Sequence, residues 1–403
     1  MSKVEELLAK YNPNGVDNIP LWELTAWDKK FNAVDKSMQK KVIKYKYYLA
    51  KDLDALVDDT GDIRILYTNE KVAYTSEEKC NGNICEGEIV AIPWGGTPTV
   101  KYYNGKFVTG DNRIATSLDT KILNNKYLFY WMISQLGTIA DFYRGAGIQH
   151  PSMSSVLSME IPLPHIKVQE EIVKILDSFT NLIDSLNEEL SLRQKQFEYY
   201  REKLLTFDKN AHKKRIIDLL IQPITDGPHE TPTFVEKGIP FISAEAIVDN
   251  KINFSKKRGF ISNEYNDLCC KKYKPKVGDV YMVKSGSTVG KVAILEDKMQ
   301  FNIWSPLAAL RVNDSCLPKY LYYLLLSRNI QEQIKQKCSK GSQPNLSMRV
   351  LERFEINVVN YRIQQSIVEK LDAFESLISS LKEEIALRQK QYEYYREKLL
   401  TFD

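Results

Sequence analysis

The sequence predicts an α+β protein with a pseudo-twofold internal repeat: two globular heads separated by a long antiparallel two-helix coiled coil. Three observations predict it. Leu192–Asp208 reads LRQKQFEYYREKLLTFD and Leu387–Asp403 reads LRQKQYEYYREKLLTFD, so across 17 positions only Phe197 against Tyr392 differs, at a constant offset of 195 residues. Each copy closes a stretch in which apolar residues recur every three or four positions. Each stretch follows a larger segment with the short apolar runs and Gly turns of a sheet-containing domain. A repeat at fixed offset constrains the architecture before any local motif does.

The order of elements is head, arm, head, arm. The first head spans 1–163, with an N-terminal extension at 1–15 that has no counterpart in the second half; the first arm spans 164–208, the second head 209–358 and the second arm 359–403. Within the first head, Glu86–Val90 reads as a strand entered from a Gly turn, followed by the loop Trp94-Gly95-Gly96-Thr97-Pro98. The second head offers Val277–Tyr281 and then Lys284-Ser285-Gly286-Ser287-Thr288-Val289-Gly290-Lys291. Lys126–Trp131 and Lys319–Leu324 are matching helical stretches with an apolar face. Ser152-Met153 and Glu160-Ile161 recur as Ser347-Met348 and Glu355-Ile356, again 195 residues on. Strand and helix signals side by side in each head give the α+β class.

Along the first arm the apolar positions are Ile172, Leu176, Phe179, Ile183, Leu186 and Leu190, continuing through Phe197, Tyr200, Leu204 and Phe207. The second arm repeats them at Ile367, Leu371, Phe374, Ile378, Leu381 and Ile385, then Tyr392, Tyr395, Leu399 and Phe402. Spacings that alternate four and three give the 3.5-residue period of a coiled-coil seam. Arg193 and Arg388 are the polar exceptions, each four residues after a glutamate (Glu189, Glu384) on its own helix, a favourable pairing. Two equivalent seams in one chain can bury each other, and an antiparallel arrangement is readily closed by the intervening head. The spacing alone does not exclude pairing between chains. From Ile172 to Phe207 is 36 residues, about 54 Å of helix or about 16 base pairs of duplex length.

Composition narrows the function classes. The 403 residues are 27% charged and 43% hydrophobic, a globular balance, with a net charge of +4 that permits a polyanionic partner. No apolar run reaches the roughly 18–20 residues that cross a membrane, and the start lacks an apolar signal-peptide core, so a cytoplasmic location is expected. The six cysteines are scattered without Cys-x-x-Cys spacing and the four histidines do not cluster with them, so no metal is expected. Gly286–Lys291 resembles a phosphate loop, but its glycines are one residue too close and Val292 stands where a Mg²⁺-binding hydroxyl belongs. Asn12-Pro13-Asn14-Gly15 starts like the catalytic tetrapeptide of amino-group DNA methyltransferases but lacks the second proline and the stacking aromatic. No catalytic residues and no cofactor are assigned.

Basic, aromatic and amide side chains gathered in loops suit nucleic acid: Lys and Arg neutralise phosphates, while Gln, Asn, Ser and Arg reach base edges. In the first head the candidates are Lys29, Lys30, Trp94, Thr97, Lys101, Tyr102, Arg113, Arg144 and Gln149. In the second they are Lys256, Lys257, Arg258, Lys284, Ser285, Ser287, Thr288, Lys291, Lys340, Ser342, Gln343 and Asn345.

Several segments together carry a family resemblance. Pro162-Leu163-Pro164, Gln169, Ile172-Val173 and Leu176-Asp177, repeated as Gln364, Ile367-Val368 and Leu371-Asp372, are similar to the entry into the long helix of specificity subunits of Type I restriction–modification systems. The Ser285–Lys291 loop and Gly341–Ser347 also resemble segments of that family's target-recognition domains. The second copy departs at Asn357-Val358-Val359-Asn360, which lacks the prolines of the first. The resemblance implies a non-catalytic subunit whose heads each read one half of a bipartite site in double-stranded DNA. It implies a coiled coil that sets the spacer, two docked modification (methyltransferase) subunits and two restriction subunits, and no membrane. A coiled-coil scaffold without sequence reading and a degenerate DNA methyltransferase are the competing classes.

Overall fold

In the computed structural model, which describes residues 2–206, 212–339 and 343–402, the chain divides into two compact units. One comprises Met1–Asn187 with Glu384–Asp403, the other Glu188–Glu383. Each unit therefore holds one head together with the beginning of one arm helix and the end of the other.

In the first unit a six-stranded sheet runs in the order Thr25–Trp27, Asn112–Ser117, Cys85–Pro93, Lys101–Thr109, Ile63–Leu66, Val72–Thr75. Its neighbours are antiparallel except Ile63–Leu66 beside Lys101–Thr109. The helix Asn125–Ser134 begins where Asn124 accepts hydrogen bonds from the Lys126 and Tyr127 amides (2.8 and 3.0 Å), a side-chain N-cap. Its Tyr127, Leu128 and Trp131 share one core with Val90, Ile92 and Ala115 of the sheet and with Val168, Ile172 and Leu176 of the first arm helix. The N-terminal helix Lys3–Tyr11, closed by a Ser2/Glu5 capping box, sends Val4 into the same core. Tyr11 stacks on His165 at 4.4 Å, and Asn12 accepts the His165 amide proton at 3.0 Å. The extension thus covers the start of the first arm helix.

The second unit has a different sheet system. Thr225–Asp226, Leu307–Leu310, Val280–Val283 and Val292–Ile294 form a four-stranded antiparallel sheet, and Gly259–Ile261, Ile239–Ile242 and Asn302–Ile303 a three-stranded mixed one. The helix Pro318–Leu326, opened by the proline itself, packs Tyr320, Leu321 and Leu324 on Val280, Met282 and Val292 and on Ile367 and Leu371 of the second arm helix.

The frame beneath the differing sheets is the same. Asn18–Pro20 pairs antiparallel with Glu160–Pro162, Asn18 opposite Pro162; His212–Arg215 pairs with Glu355–Val358, Lys213 opposite Asn357. The arm helices are Ile166–Leu205 and Tyr361–Leu400, 40 residues each and in the 195-residue register. The second begins at the equivalent position without prolines because Asn360 Oδ1 takes the Ile363 amide proton at 3.0 Å.

Within each unit the helices pair antiparallel inside the single chain. Phe179 stacks on Tyr395 at 5.4 Å in the first unit, and its repeat Phe374 stacks on Tyr200 at 5.4 Å in the second. Ile172, Leu176, Ile367, Leu371, Leu381 and Ile385 are buried, while Phe179, Ile183, Leu186, Leu190, Phe374 and Ile378 are half-buried, as a narrow seam requires. Arg193 and Arg388 each lie 3.3 Å from the glutamate one turn earlier.

Two polar contacts lock each head to its arm. Gln169 and Gln364 are fully buried. Gln169 accepts the Asn124 amide proton (2.9 Å) and donates to the carbonyls of Ile122 and Pro164 (2.8 Å each). Gln364 accepts from Leu317 and donates to Ser315 and Val359, all at 2.9 Å. Two turns on, Asp177 meets Lys126 (2.7 Å) and the Tyr130 hydroxyl (2.6 Å); Asp372 meets Lys319 (3.1 Å) and the Tyr323 hydroxyl (2.6 Å). Burial, and the neighbouring carboxylates, push both tyrosines well above the ordinary phenol range, so they remain donors.

Replacing Gln364 by Leu strips three backbone groups of their partner, the Val359 carbonyl among them fully shielded, and is expected to cost about 2–3 kcal/mol in denaturant unfolding. Gln365→Leu, at an exposed position of the same helix, should stay within about 0.5 kcal/mol. Equal effects of the two variants would show that the buried amide does not lock the head.

Candidate nucleic-acid interface

In both heads the two loops singled out in the sequence lie against each other. In the first, the Gly96 amide donates to the Gln149 carbonyl (3.4 Å) and His150 Nδ1 contacts the Trp94 carbonyl (2.7 Å). In the second, the Gly286 amide donates to the Pro344 carbonyl (2.9 Å) and the Leu346 amide to the Lys284 carbonyl (2.8 Å). Gln149 and Pro344 are 195 residues apart, so the clasp itself is repeated. Gly96 and Gly286 make the turn at φ +96° and +100°, where side-chain-bearing residues are strained. A Cβ on Gly95 would come within 2.7 Å of the Ile148 side chain, so the close approach of the loops depends on glycine there.

Around the first clasp the candidates divide into exposed and committed. Lys30, Thr97, Arg144 and Gln149 are exposed. Trp94 lies over Arg113, whose guanidinium is 3.8 Å from the ring centroid, with His150 on its flank at 5.0 Å. Arg113 is buried and bonds Asp111 at 2.8 Å, so it supports Trp94 from below. Lys29 bonds the same carboxylate at 2.9 Å and lies 3.8 Å from the Tyr47 ring centroid. Burial opposes ionisation of Asp111, but its bonds from Arg113 and Lys29 outweigh it and hold the carboxyl below its usual range. Lys101 and Tyr102 lie apart from this group. Lys101 donates to the carbonyls of Tyr67 and Asn69, and burial, with Arg64 nearby, lowers its pKa to about 8. Tyr102 donates to Glu88 at 2.7 Å.

In the second head Ser285 bridges to Asn345, Ser287, Lys291, Gln343 and Asn345 are exposed, and Thr288 is half-buried. Lys340 and Ser342 lie outside the described residues. Lys284 is buried, 3.3 Å from Asp226. The same carboxylate is 2.5 Å from Lys272 and 3.2 Å from His229 Nε2. Burial opposes its ionisation too, and the two lysines overcome it. Lys256 is exposed, Lys257 lies over Phe260 at 4.7 Å, and Arg258 bonds Glu245 at 2.8 Å beside Trp304. The phosphate-loop resemblance ends here. Gly286–Lys291 closes a hairpin between Val280–Val283 and Val292–Ile294, so no helix N-terminus follows it.

Reading the sequence missed Asp111 and Asp226, the acids that gather the cations beneath each clasp, and His229 beside Asp226. Their signal was weak: single carboxylates inside strands or turns have no distinguishing spacing. Among the described residues, no helix is long and apolar enough to cross a membrane.

Two heads with a repeated loop clasp on a repeated frame form a two-headed protein in which the frame is constant and the loops differ. The model of the type I restriction modification DNA specificity domain matches residues 18–192 and 230–387. The specificity subunit of the EcoR124I/EcoR124II type I restriction enzyme of Escherichia coli is 30% identical over 423 residues, covering 100% of this chain and 97% of that one. A putative type I restriction enzyme specificity subunit of Haemophilus influenzae is 30% identical over 347 residues, 81% of this chain and 86% of its own. The crystal structure of the S subunit of the type I restriction–modification system of M. genitalium shares the fold, with a TM-score of 0.64 at 17% identity over 96% of this chain and 97% of that one. This chain belongs to the family of type I restriction–modification DNA specificity subunits.

Asp28, next to Lys29, accepts the Ile114 amide proton at 3.0 Å, and burial raises its pKa to about 6. The folded protein therefore keeps this proton to higher pH than the unfolded chain, and ionising the carboxyl costs the fold stability between about pH 4 and pH 6. Asp28→Asn should match the wild type near pH 4 and exceed it above pH 6 by on the order of 3 kcal/mol. A stability difference that does not change with pH would remove this assignment.

Proposed function

We propose that this chain is the non-catalytic sequence-reading subunit of a type I restriction–modification complex, each head reading one half of a bipartite DNA site. The observation that carries the reading is the duplicated clasp: backbone contacts hold the two loops together in both heads, while the side chains they expose differ. Arg144, Gln149 and Thr97 serve the first half-site; Ser287, Thr288, Lys291, Gln343 and Asn345 serve the second, to which Lys340 and Ser342, outside the described residues, are assigned from the sequence alone. Lys30 and Lys256 contact phosphates. Lys29, Arg113 and Lys284 support the loops from beneath, in a role nearer to positioning than to readout. The boundaries proposed for the heads are 1–163 and 209–358. The arms, 164–208 and 359–403, set the unread spacer. That the relatives bear the name of specificity subunits supports the absence of catalysis in this chain.

Docking of two modification subunits is supported by a second duplicated feature. Leu192 and Tyr199 are exposed on the first arm helix, and so are their repeats Leu387 and Tyr394 on the second, at about 60% each. Large apolar side chains repeated off the seam suit two copies of one partner. The two restriction subunits join that complex.

Mapping genomic adenine methylation in cells carrying the chain with its modification subunits tests the reading directly. Replacing Ser287, Gln343 and Asn345 together should alter one half-site and leave the other intact, and changes in both halves would overturn the two-reader assignment. A seven-residue insertion in both arm helices should lengthen the unread spacer, and an unchanged spacer would overturn the measuring role. Separately, Leu387→Asp with Tyr394→Asp should reduce the bound modification subunits from two to one per chain at unchanged helical circular dichroism. Retention of two would place the dock elsewhere.

A further inference from the structure

The first head carries a cationic run that neither the loop clasp nor its supporting acid uses. Between Asp35 and Asp52 the sequence contains six lysines (Lys36, Lys40, Lys41, Lys44, Lys46 and Lys51) and no carboxylate. Among the described residues none of the six makes an ion pair, although eighteen such pairs occur. Lys46 reaches only the Asn83 side-chain carbonyl, at 3.1 Å.

The run is held in place. Val42 bridges to Trp27 and Tyr47 to Thr109, and the Ile43 and Tyr48 amides donate to the carbonyls of Trp27 and Thr109 (2.9 Å each). Tyr45 packs on Phe107 at 5.4 Å, and the Tyr48 hydroxyl donates to the Cys80 carbonyl at 2.8 Å. With Tyr45 and Tyr48 anchored inward, Lys40, Lys41, Lys44 and Lys46 are left exposed. The segment is continuous with the clasp: Tyr47 lies under Lys29, Lys29 bonds Asp111, Asp111 bonds Arg113, and Arg113 supports Trp94. At the 195-residue offset the second head differs: Val235–Ser243 contains one lysine and no tyrosine.

We infer that Lys40–Tyr48 is a phosphate-tracking strip by which the first head grips duplex DNA flanking its half-site. Lysines without acidic partners on a fixed segment release counterions when they meet phosphates, and they carry no base preference. Tyr47 presents a ring face beside them. This inference rests on the DNA-reading function proposed above.

The test is binding of the full chain to a duplex containing its site, measured against salt. Lys40→Gln, Lys41→Gln and Lys44→Gln together should reduce the slope of log affinity against log salt by about two to three, near 0.9 per phosphate contact. The methylated sequence should be unchanged. Phosphate-ethylation interference should fade on the flank of the first half-site alone. The Lys→Arg triple variant should keep the wild-type slope. An unchanged slope with the Gln variants would overturn the strip, as would a changed methylation sequence. Loss of modification-subunit binding at unchanged DNA slope would place the strip against an acidic protein face and also overturn it. Failure of the wild type to bind any site selectively would instead defeat the underlying reading.

Discussion

Burying the amides of Gln169 and Gln364 is the constraint on which the rest of the frame depends. A buried primary amide has to satisfy its donors and its acceptor or lose about 1–3 kcal/mol for each group left unmet. In each unit it does so with backbone groups from two other places: the turn that opens the head helix and the residue two before the start of the arm helix. Those three pieces of chain therefore have one permitted arrangement. Asp177 and Asp372 then fix the rotation of the head helix by engaging a lysine and a tyrosine four residues apart on it. The apolar core supplies most of the stabilisation, but it is tolerant of small shifts. Directional bonds make the joint between head and arm the same twice.

That sameness persists where the sequence departs from it. Thr180 in the first arm corresponds to Glu375 in the second, 195 residues on. Glu375 is largely buried, which raises its pKa despite hydrogen bonds from the Tyr322 and Tyr323 hydroxyls at 2.7 and 3.1 Å. Where Tyr322 gains a hydroxyl, the first head has Phe129, which packs on Tyr102 at 5.6 Å. The two joints thus exchange a polar pair for an apolar one, and the helix start at Asn360 exchanges two prolines for an N-cap. Each exchange is tolerated because no buried polar group is left without a partner.

The seam was legible in the sequence because a coiled coil imposes a strict period, and Phe179 through Ile385 could be named from spacing alone. The loops were legible as loops because Gly95-Gly96 and Ser285-Gly286 announce turns. The identity of the exposed residues was not. Lys101, Arg113 and Lys284 have the composition of DNA contacts, yet each is spent on a carbonyl or a carboxylate. Charge in a sequence does not reveal its partner, and the partners here are 34, 2 and 58 residues away. Lys40–Tyr48 was overlooked for the converse reason: it matches no motif, and its exposure follows from which tyrosines turn inward. The sheet orders of the two heads were also hidden, since pairing joins segments far apart in sequence and, outside the three long strands of the first head, the strands of both sheets are only two to four residues long.

On the proposed reading, the clasp lets specificity vary on such a frame. Gly96 to Gln149, Gly286 to Pro344 and Leu346 to Lys284 are bonds between backbone groups. They make no demand on the side chains that the loops present, beyond glycine at Gly95, Gly96 and Gly286. Exposed substitutions in Arg144–Gln149 or in Ser287, Gln343 and Asn345 therefore change what the loop offers to a ligand without touching what holds the loop. The acids beneath the clasps act in the opposite way. Asp111 and Asp226 each neutralise two cations from separate segments, and losing either would leave one buried positive charge, Arg113 or Lys284, without its acid, at a cost of several kcal/mol. Substitution in these heads therefore costs the fold least at the exposed rim of the clasp.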